Sequence, residues 1–181
     1  GARNFVRYAF DQYDLEFSLE EAQEVRNRFF RLYPGLVAWH REVEDFVRRY
    51  GYVVSPLGRV RHLPDVHSPD RFLQHEAVRQ AINSPVQATA SDFTLLAMVQ
   101  IDRKLREEPS LQGVVIGQVH DSVLVECDES HAYRTAELVK HIMEARVPVV
   151  LKKWFGYHFP LPLQAEVAIG SVWGEYEKVL A

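Results

Sequence analysis

A polar pair, His120 and Asp121, interrupts an otherwise largely apolar stretch that runs from Gly113 to Cys127. The residues on both sides are rich in valine, so two strands separated by two residues predict a tight hairpin. Such a turn usually carries Asn-Gly or Asp-Gly, so backbone geometry does not explain this pair. A carboxylate held there suits a hard divalent cation, and an imidazole beside it can donate to a phosphate or sugar oxygen. The alternative is a polar surface turn without chemistry.

Helices are predicted for much of the chain before this hairpin. Ser18 and Glu21 form a capping box, and apolar residues follow at helical spacing as far as Pro34. Pro34 then suits the first turn of another helix, which ends at Gly51. A short helix is also predicted over residues 2–10. The aromatic residues of these helices are assigned to packing.

A break in the helical pattern is predicted at Pro85, because proline lacks an N–H donor and its ring clashes with the preceding turn. Asp70 is expected to cap a helix that reaches Asn83. Ser84 is expected to be the N-cap of a second, long helix that continues to about Glu107. One face of that helix would pack under the hairpin through Val86, Phe93, Leu96 and Val99.

The remaining segments complete a small sheet. Short strands are predicted over Tyr52–Val54 and Val60–Leu63, and a further strand over Leu163–Ile169. A helix is predicted over Ser130–Arg146, whereas residues 147–160 fit no single element. Helices that cover one face of a small antiparallel sheet, with the hairpin at its centre, predict an α+β fold. No shift in composition marks a second domain.

Composition narrows the function classes. The 181 residues carry a net charge of −4, which gives no overall basic signature for nucleic acid, and no apolar run is long enough to span a membrane. Cys127 is the only cysteine, which excludes an internal disulfide, fits a reducing compartment and is expected to pack in the core. Locally, residues 48–62 contain four arginines, two tyrosines and no acidic residue, a pattern that suits a phosphate backbone or a solvated face.

Two motifs resemble those of family A DNA polymerases, the bacterial DNA polymerase I type. QVHDSVLVE (118–126) is similar to the last carboxylate-bearing motif of that family, and VRQAINSPVQATASD (78–92) resembles its Arg-x-x-x-Asn-x-Pro-x-Gln element. The segments 18–36 and 51–65 and the closing Gly170–Trp173 resemble further family segments in the same order. The resemblance therefore covers nearly the whole chain.

This resemblance implies roles for five residues. Asp121 would help to hold catalytic Mg²⁺, of which the intact enzyme uses two ions. His120 would contact the primer terminus. Arg79, Asn83 and Gln87 would reach the primer–template duplex, chiefly through the minor groove. That groove presents purine N3 and pyrimidine O2 acceptors at every base pair, so donors there can check pair geometry without reading sequence.

Three departures from the family pattern stand out. Ser122 occupies a position where the family commonly has Glu, which puts any role of a third carboxylate in doubt. Ala88 replaces a usual Gly. Residues 147–160 look longer than the compact bacterial pattern, as a lineage-specific insertion would.

The family's partner aspartate and its nucleotide-binding helix would precede Gly1. The resemblance therefore implies one C-terminal polymerase fragment over 1–181, in which 1–83 are mainly the rear of the fingers with a connecting hairpin and 84–181 are mainly palm. The fragment alone is expected to be inactive and to need the missing N-terminal polymerase segment, in cis or as a second chain. Primer–template DNA and deoxynucleoside triphosphates would be its other partners, in the cytoplasm of a bacterial or phage-infected cell and away from membranes.

Three alternatives remain at this point. A metal-dependent phosphohydrolase could use a His-Asp pair, although no second histidine has convincing ligand spacing. A non-catalytic nucleic-acid-binding module could use residues 48–61 together with Arg79. A single-subunit RNA polymerase would share the palm.

Overall fold

The computed structural model describes residues 1–180, except for the side chains of Lys178 and Val179. The helices are α1 (Ala2–Tyr13), α2 (Leu19–Leu32), α3 (Pro34–Tyr50), α4 (Arg71–Glu107), α5 (Ala132–His141) and α6 (Val147–Phe155). The strands are β1 (Tyr52–Val54), β2 (Val60–His62), β3 (Val114–Val119), β4 (Ser122–Glu126), β5 (Val167–Val172) and β6 (Glu175–Leu180). Consecutive strands pair as three separate two-stranded sheets, which confirms the α+β prediction. The single small sheet predicted with the hairpin at its centre is wrong for the described residues, because β3 and β4 pair only with each other.

Contacts divide the chain into two compact units. The first contains residues 1–53 and 62–82, and the second contains residues 54–61 and the chain from Asn83 onward. The change from one unit to the other along α4 therefore falls between Ile82 and Asn83.

The first unit is built from helices whose ends follow their sequence signals. Ser18 accepts a hydrogen bond from the Glu21 backbone, and the Glu21 carboxylate accepts one from the Ser18 N–H at 2.8 Å, so the predicted capping box is confirmed. α3 ends at Gly51, whose φ of 74° is left-handed. The core of this unit consists of Val47, Val53, Leu63, Val66, Ala77, Val78 and Ala81.

The second unit packs α4, α5 and α6 around one apolar core under the β3–β4 hairpin. The buried residues of this core are Ala97, Ile101, Leu105, Leu111, Val139, Ile142, Val147 and Leu151. Val115, Val123 and Val125 pack against this core from the hairpin. The hairpin is therefore supported from one side by the helices.

The predicted break at Pro85 is wrong, because α4 runs without interruption from Arg71 to Glu107 with Pro85 inside it. An internal proline costs a helix about 3 kcal/mol or more. α4 has buried residues both before and after Pro85. Ala77 and Ala81 belong to the core of the first unit, and Ala97 and Ile101 belong to that of the second. Burial on each side offsets the lost hydrogen bond and keeps both segments helical.

Two smaller predictions about α4 also need correction. Ser84 is not an N-cap, because it lies inside α4. Its hydroxyl accepts a hydrogen bond from Arg61 within the second unit. Phe93 and Leu96 do pack against the second core, but Val86 and Val99 are exposed. At the start of α4 the prediction holds, since the Asp70 carboxylate accepts from the Phe72 N–H at 2.7 Å.

The C-terminal segment departs further from prediction. Residues 147–160, which fitted no single element, begin with α6, and a π-helical segment, Ile142–Arg146, joins it to α5. The strand predicted over Leu163–Ile169 begins only at Val167 and pairs with β6, a strand that the sequence pattern did not predict. Strand pairing is blocked at Ala165, because side chains already bond its backbone N–H and C=O.

Cys127 is only partly buried, so the prediction that it packs in the core is wrong.

Candidate nucleic-acid interface

The predicted hairpin is present, with His120 and Asp121 at its tip. β3 and β4 are antiparallel, and Val119 lies opposite Ser122, so the polar pair forms the two-residue connection. His120 has a φ of 53°. Histidine adopts this left-handed backbone far less readily than glycine does, so the turn geometry alone does not account for the residue.

Both side chains at the tip are exposed. The Gln118 side chain donates a hydrogen bond to the His120 carbonyl oxygen at 2.9 Å, which braces the turn. Behind the tip, Val123 and Val125 of β4 pack on the second core. The structure therefore presents the Asp121 carboxylate to solvent from a support that is anchored on one face.

Asn83 and Gln87 lie one turn apart on the second-unit part of α4, and both are exposed. Residues four apart share one side of a helix, so both amides face the same way. Arg79 lies on the first-unit part of the helix and is also exposed. Its guanidinium bonds Glu76 on the preceding turn, and that hydrogen bond is the main reason that the pKa of Glu76 lies below its ordinary value.

Two arginines of the second unit were not singled out as site residues by the sequence pattern. The Arg59 guanidinium donates to Asp92 of α4, and Arg61 donates to the Ser84 hydroxyl of the same helix at 3.0 Å. In the sequence the two arginines are two residues apart, the spacing that puts side chains on one face of a strand, although only Arg61 lies within β2. That alternation was a signal in the sequence, but their partners on α4 were not predictable from local pattern.

The other two arginines of the basic stretch belong to the first unit. Arg48 is paired with Glu44 at 2.8 Å on α3, and Arg49 lies over the Tyr50 ring at 5.5 Å from its centre. The four arginines of residues 48–62 are therefore divided between two units. The prediction that the whole stretch faces a phosphate backbone stays a prediction.

Residues 10–175 match the family described as DNA polymerase family A. The chain belongs to this family. It is 34% identical over 160 residues to the thermostable DNA polymerase I of Thermus aquaticus, covering 88% of this chain and 18% of the relative. It is 31% identical over 161 residues to the DNA polymerase of Bacillus phage SP01, and this match covers 89% of this chain and 17% of the relative. The chain thus spans less than a fifth of the length of these relatives.

A solved structure of a polymerase domain shares the fold. It is the POL domain of Pol1 from M. smegmatis, in complex with DNA primer-template and dNTP. The TM-score is 0.72 at 29% sequence identity, and the match covers 91% of this chain and 26% of that one. The resemblance in sequence motifs therefore extends to three dimensions.

A divalent metal is a general requirement of a family A DNA polymerase. Within the residues that the structure describes, no group of three or more His, Cys, Asp or Glu side chains is arranged to hold a metal ion. Asp121 fits a metal as a single ligand, because its carboxylate is exposed at the tip of a supported turn. Ser122 places a neutral hydroxyl next to it.

Among residues 1–180 no helix is long and apolar enough to cross a membrane.

Proposed function

We propose that this chain forms part of the palm and fingers of a DNA-directed DNA polymerase, in which Asp121 is a metal ligand of template-dependent nucleotidyl transfer. The division proposed is rear fingers with a connecting hairpin over 1–83 and mainly palm over 84–181. The observation that carries the proposal is the position of Asp121, exposed at the tip of a hairpin whose other face packs on a core, in a chain of this polymerase family.

The two Mg²⁺ ions of the intact enzyme would activate the primer 3′-hydroxyl and stabilise the leaving pyrophosphate. Asp121 supplies carboxylate oxygens, which are the ligands that Mg²⁺ prefers. Gln118 braces the turn and packed valines lie behind it, so the backbone that carries the Asp121 carboxylate is held in place. His120, next to it, carries a ring N–H that can donate to the primer terminus.

The DNA contacts proposed for α4 are minor-groove hydrogen bonds. Asn83 and Gln87 expose amide N–H donors on one side of the helix, and every base pair offers acceptors in that groove. Arg79, an exposed cation of the first unit, is proposed as a further DNA contact. Arg59 and Arg61, fixed to the same helix in the second unit, add guanidinium groups suited to phosphate or groove acceptors. Such contacts position the duplex without selecting a sequence.

The partners proposed are primer–template DNA, deoxynucleoside triphosphates and the rest of the polymerase, either on the same polypeptide or as a second chain. Two-metal transfer needs carboxylates that converge on ions about 3.5–4 Å apart, so a second carboxylate must join Asp121. The solved POL domain of M. smegmatis was bound to primer-template and dNTP, which supports the first two partners. The location proposed is the cytoplasm of a bacterial or phage-infected cell.

The test is Asp121→Asn in the intact polymerase that contains this chain. We expect the single-turnover rate of primer extension to fall by at least about a hundredfold, as removal of a group stabilising the transition state does. The affinity for primer–template should stay within about threefold, because an exposed amide keeps the shape of the carboxylate. Glu126→Gln, at the other end of β4, is the matched control and should extend primers normally. An Asp121→Asn enzyme with a near-normal rate would show that the metal ligand is misassigned.

A further inference from the structure

Asp92 and Arg59 form an ion pair that joins α4 to the turn between β1 and β2, 33 residues apart in sequence and inside the second unit. The two side chains differ sharply in exposure. The Asp92 side chain is 13% exposed, whereas that of Arg59 is 53% exposed. The carboxylate is therefore the inner member of the pair, and the guanidinium is the outer one.

The backbone of Arg59 is fixed as well. Its N–H donates to the Ser55 hydroxyl at 3.1 Å, and the Ser55 N–H donates to the Arg59 carbonyl at 2.9 Å. Ser55 is buried, and Leu57 in the same turn packs against the second core. These contacts fix the backbone of Arg59 but not its side chain. The ion pair with Asp92 restrains the side chain.

The pair leaves most of the guanidinium available to a ligand. A guanidinium has five N–H donors in a rigid fork, and the bond to Asp92 comes from a single terminal nitrogen, Nη2. The other nitrogens belong to a side chain that is half exposed. The hydrogen bond to Asp92, more than the charge of Asp92, raises the pKa of Arg59. The guanidinium is a cation at every working pH, as arginine is in proteins generally.

A free arginine on a flexible stem loses rotamer freedom when it binds, and a restraint that exists before binding removes part of that cost. We propose that Asp92 is a positioning residue for DNA synthesis, which fixes Arg59 so that its remaining donors meet the primer–template. This inference rests on the proposed polymerase function, and it assigns a role to a carboxylate that is neither a metal ligand nor a DNA contact.

The experiment is a double-mutant cycle in the intact polymerase, with Asp92→Asn, Arg59→Ala and the double variant. Asp92→Asn keeps the size of the side chain and removes its charge. We expect it to slow single-turnover extension of bound primer–template roughly threefold to tenfold, the range set by immobilising one long side chain. In the Arg59→Ala background the same change should have no further effect, because Asp92 then has nothing to position. Rates are expressed per active molecule, so loss of folded protein does not enter them.

Asp102→Asn is the matched control. Asp102 also lies on α4 and pairs with Arg106 at 2.9 Å, but that pair is exposed and local to the helix. We expect its extension rate and melting temperature to equal those of the unmodified enzyme. A general effect of removing a helix carboxylate would appear in this variant as well.

The inference is overturned by any of three results. Asp92→Asn could extend primers at the unmodified rate, or it could cause the same loss with and without Arg59, or Arg59→Ala could have no effect. Each of these outcomes leaves the proposed function intact as long as Asp121→Asn abolishes extension. Failure of the Asp121→Asn test, in contrast, removes the proposed function itself.

Discussion

The Glu144 carboxylate accepts a hydrogen bond from the backbone N–H of Ala165 at 2.8 Å and thereby ties the π-helical segment to the chain that enters β5. Lys140 completes the arrangement, because its ammonium donates to Glu144 at 2.9 Å and to the Ala165 carbonyl at 2.7 Å. Both backbone polar groups of Ala165, a buried residue, are thus satisfied by two side chains. The π-helical segment therefore helps to hold the chain before β5 in place within the second unit.

Glu144 makes the stability of the chain depend on pH. The Ala165 N–H, followed by Lys140, lowers the pKa of Glu144 below its ordinary value of 4.5. A lowered folded-state pKa stabilises the protein above the unfolded pKa, and that contribution is lost as the pH falls through the folded value. We expect Glu144→Gln to lower the free energy of unfolding by about 1–3 kcal/mol at pH 7, as loss of a charged hydrogen-bond partner does. Urea unfolding at pH 7 and at a pH below the lowered folded-state pKa of Glu144 measures this difference.

The difference between Glu144→Gln and the unmodified chain should shrink at the lower pH, because both side chains are then uncharged. Glu137→Gln, which changes an exposed carboxylate on α5, serves as the control and should unfold like the unmodified chain at both values. A constant difference across the pH range would mean that the charge of Glu144 is not what stabilises this contact.

Gly170 in β5 has no room for a side chain. A Cβ at this position would overlap the Glu175 carbonyl oxygen and lie 2.9 Å from the Tyr176 Cα, both in the paired strand. Backbone atoms of a paired strand cannot retreat without breaking the pairing. We expect Gly170→Ala to destabilise the chain by roughly 1–3 kcal/mol, the usual cost of overpacking, as measured by chemical unfolding.

Gly35→Ala is the opposite case and the natural comparison. Gly35 lies in the first turn of α3, and no atom comes within 4 Å of a Cβ built there. Alanine reduces the freedom of the unfolded chain and suits a helix, so we expect stabilisation by about 0.5–1 kcal/mol in the same unfolding measurement. If both glycine variants destabilised equally, the clash at Gly170 would not be the cause.

The isolated 181-residue chain should not extend a primer. Asp121 is one carboxylate, and transfer through two ions needs at least one more that converges with it. Incubation with primer–template, Mg²⁺ and all four deoxynucleoside triphosphates, resolved on a sequencing gel, measures this directly, with the intact polymerase as the positive control. Template-dependent products from the isolated chain would contradict the prediction.

Sequence patterns predicted the elements whose signals are local. The capping box of Ser18 and Glu21 needs residues three apart, and the β3–β4 hairpin needs two valine-rich runs with two residues between them. Both were confirmed because the interactions that define them lie within a few residues. The exposed position of Asp121 followed from the same local pattern.

The predictions that failed depended on distant contacts. The helix was expected to break at Pro85, where local rules oppose helix, but burial on either side of it decides otherwise. Likewise, Ser84 carries a helix-capping side chain that instead accepts from Arg61, 23 residues away. The partnership of Asp92 with Arg59 is of the same kind. No local pattern encodes which acceptor on α4 a given arginine will reach.

The β3–β4 hairpin pairs with no third strand among the described residues, so the outer edges of both strands carry unpaired backbone groups. Val114, Ile116 and Val119 are exposed along one of these strands, and a bulge falls at Ile116. Apolar strands with open edges recruit strands from other molecules, which is the first step of aggregation. When the chain is expressed alone, it should therefore be kept at low concentration. Its monodispersity should be checked before any activity is measured.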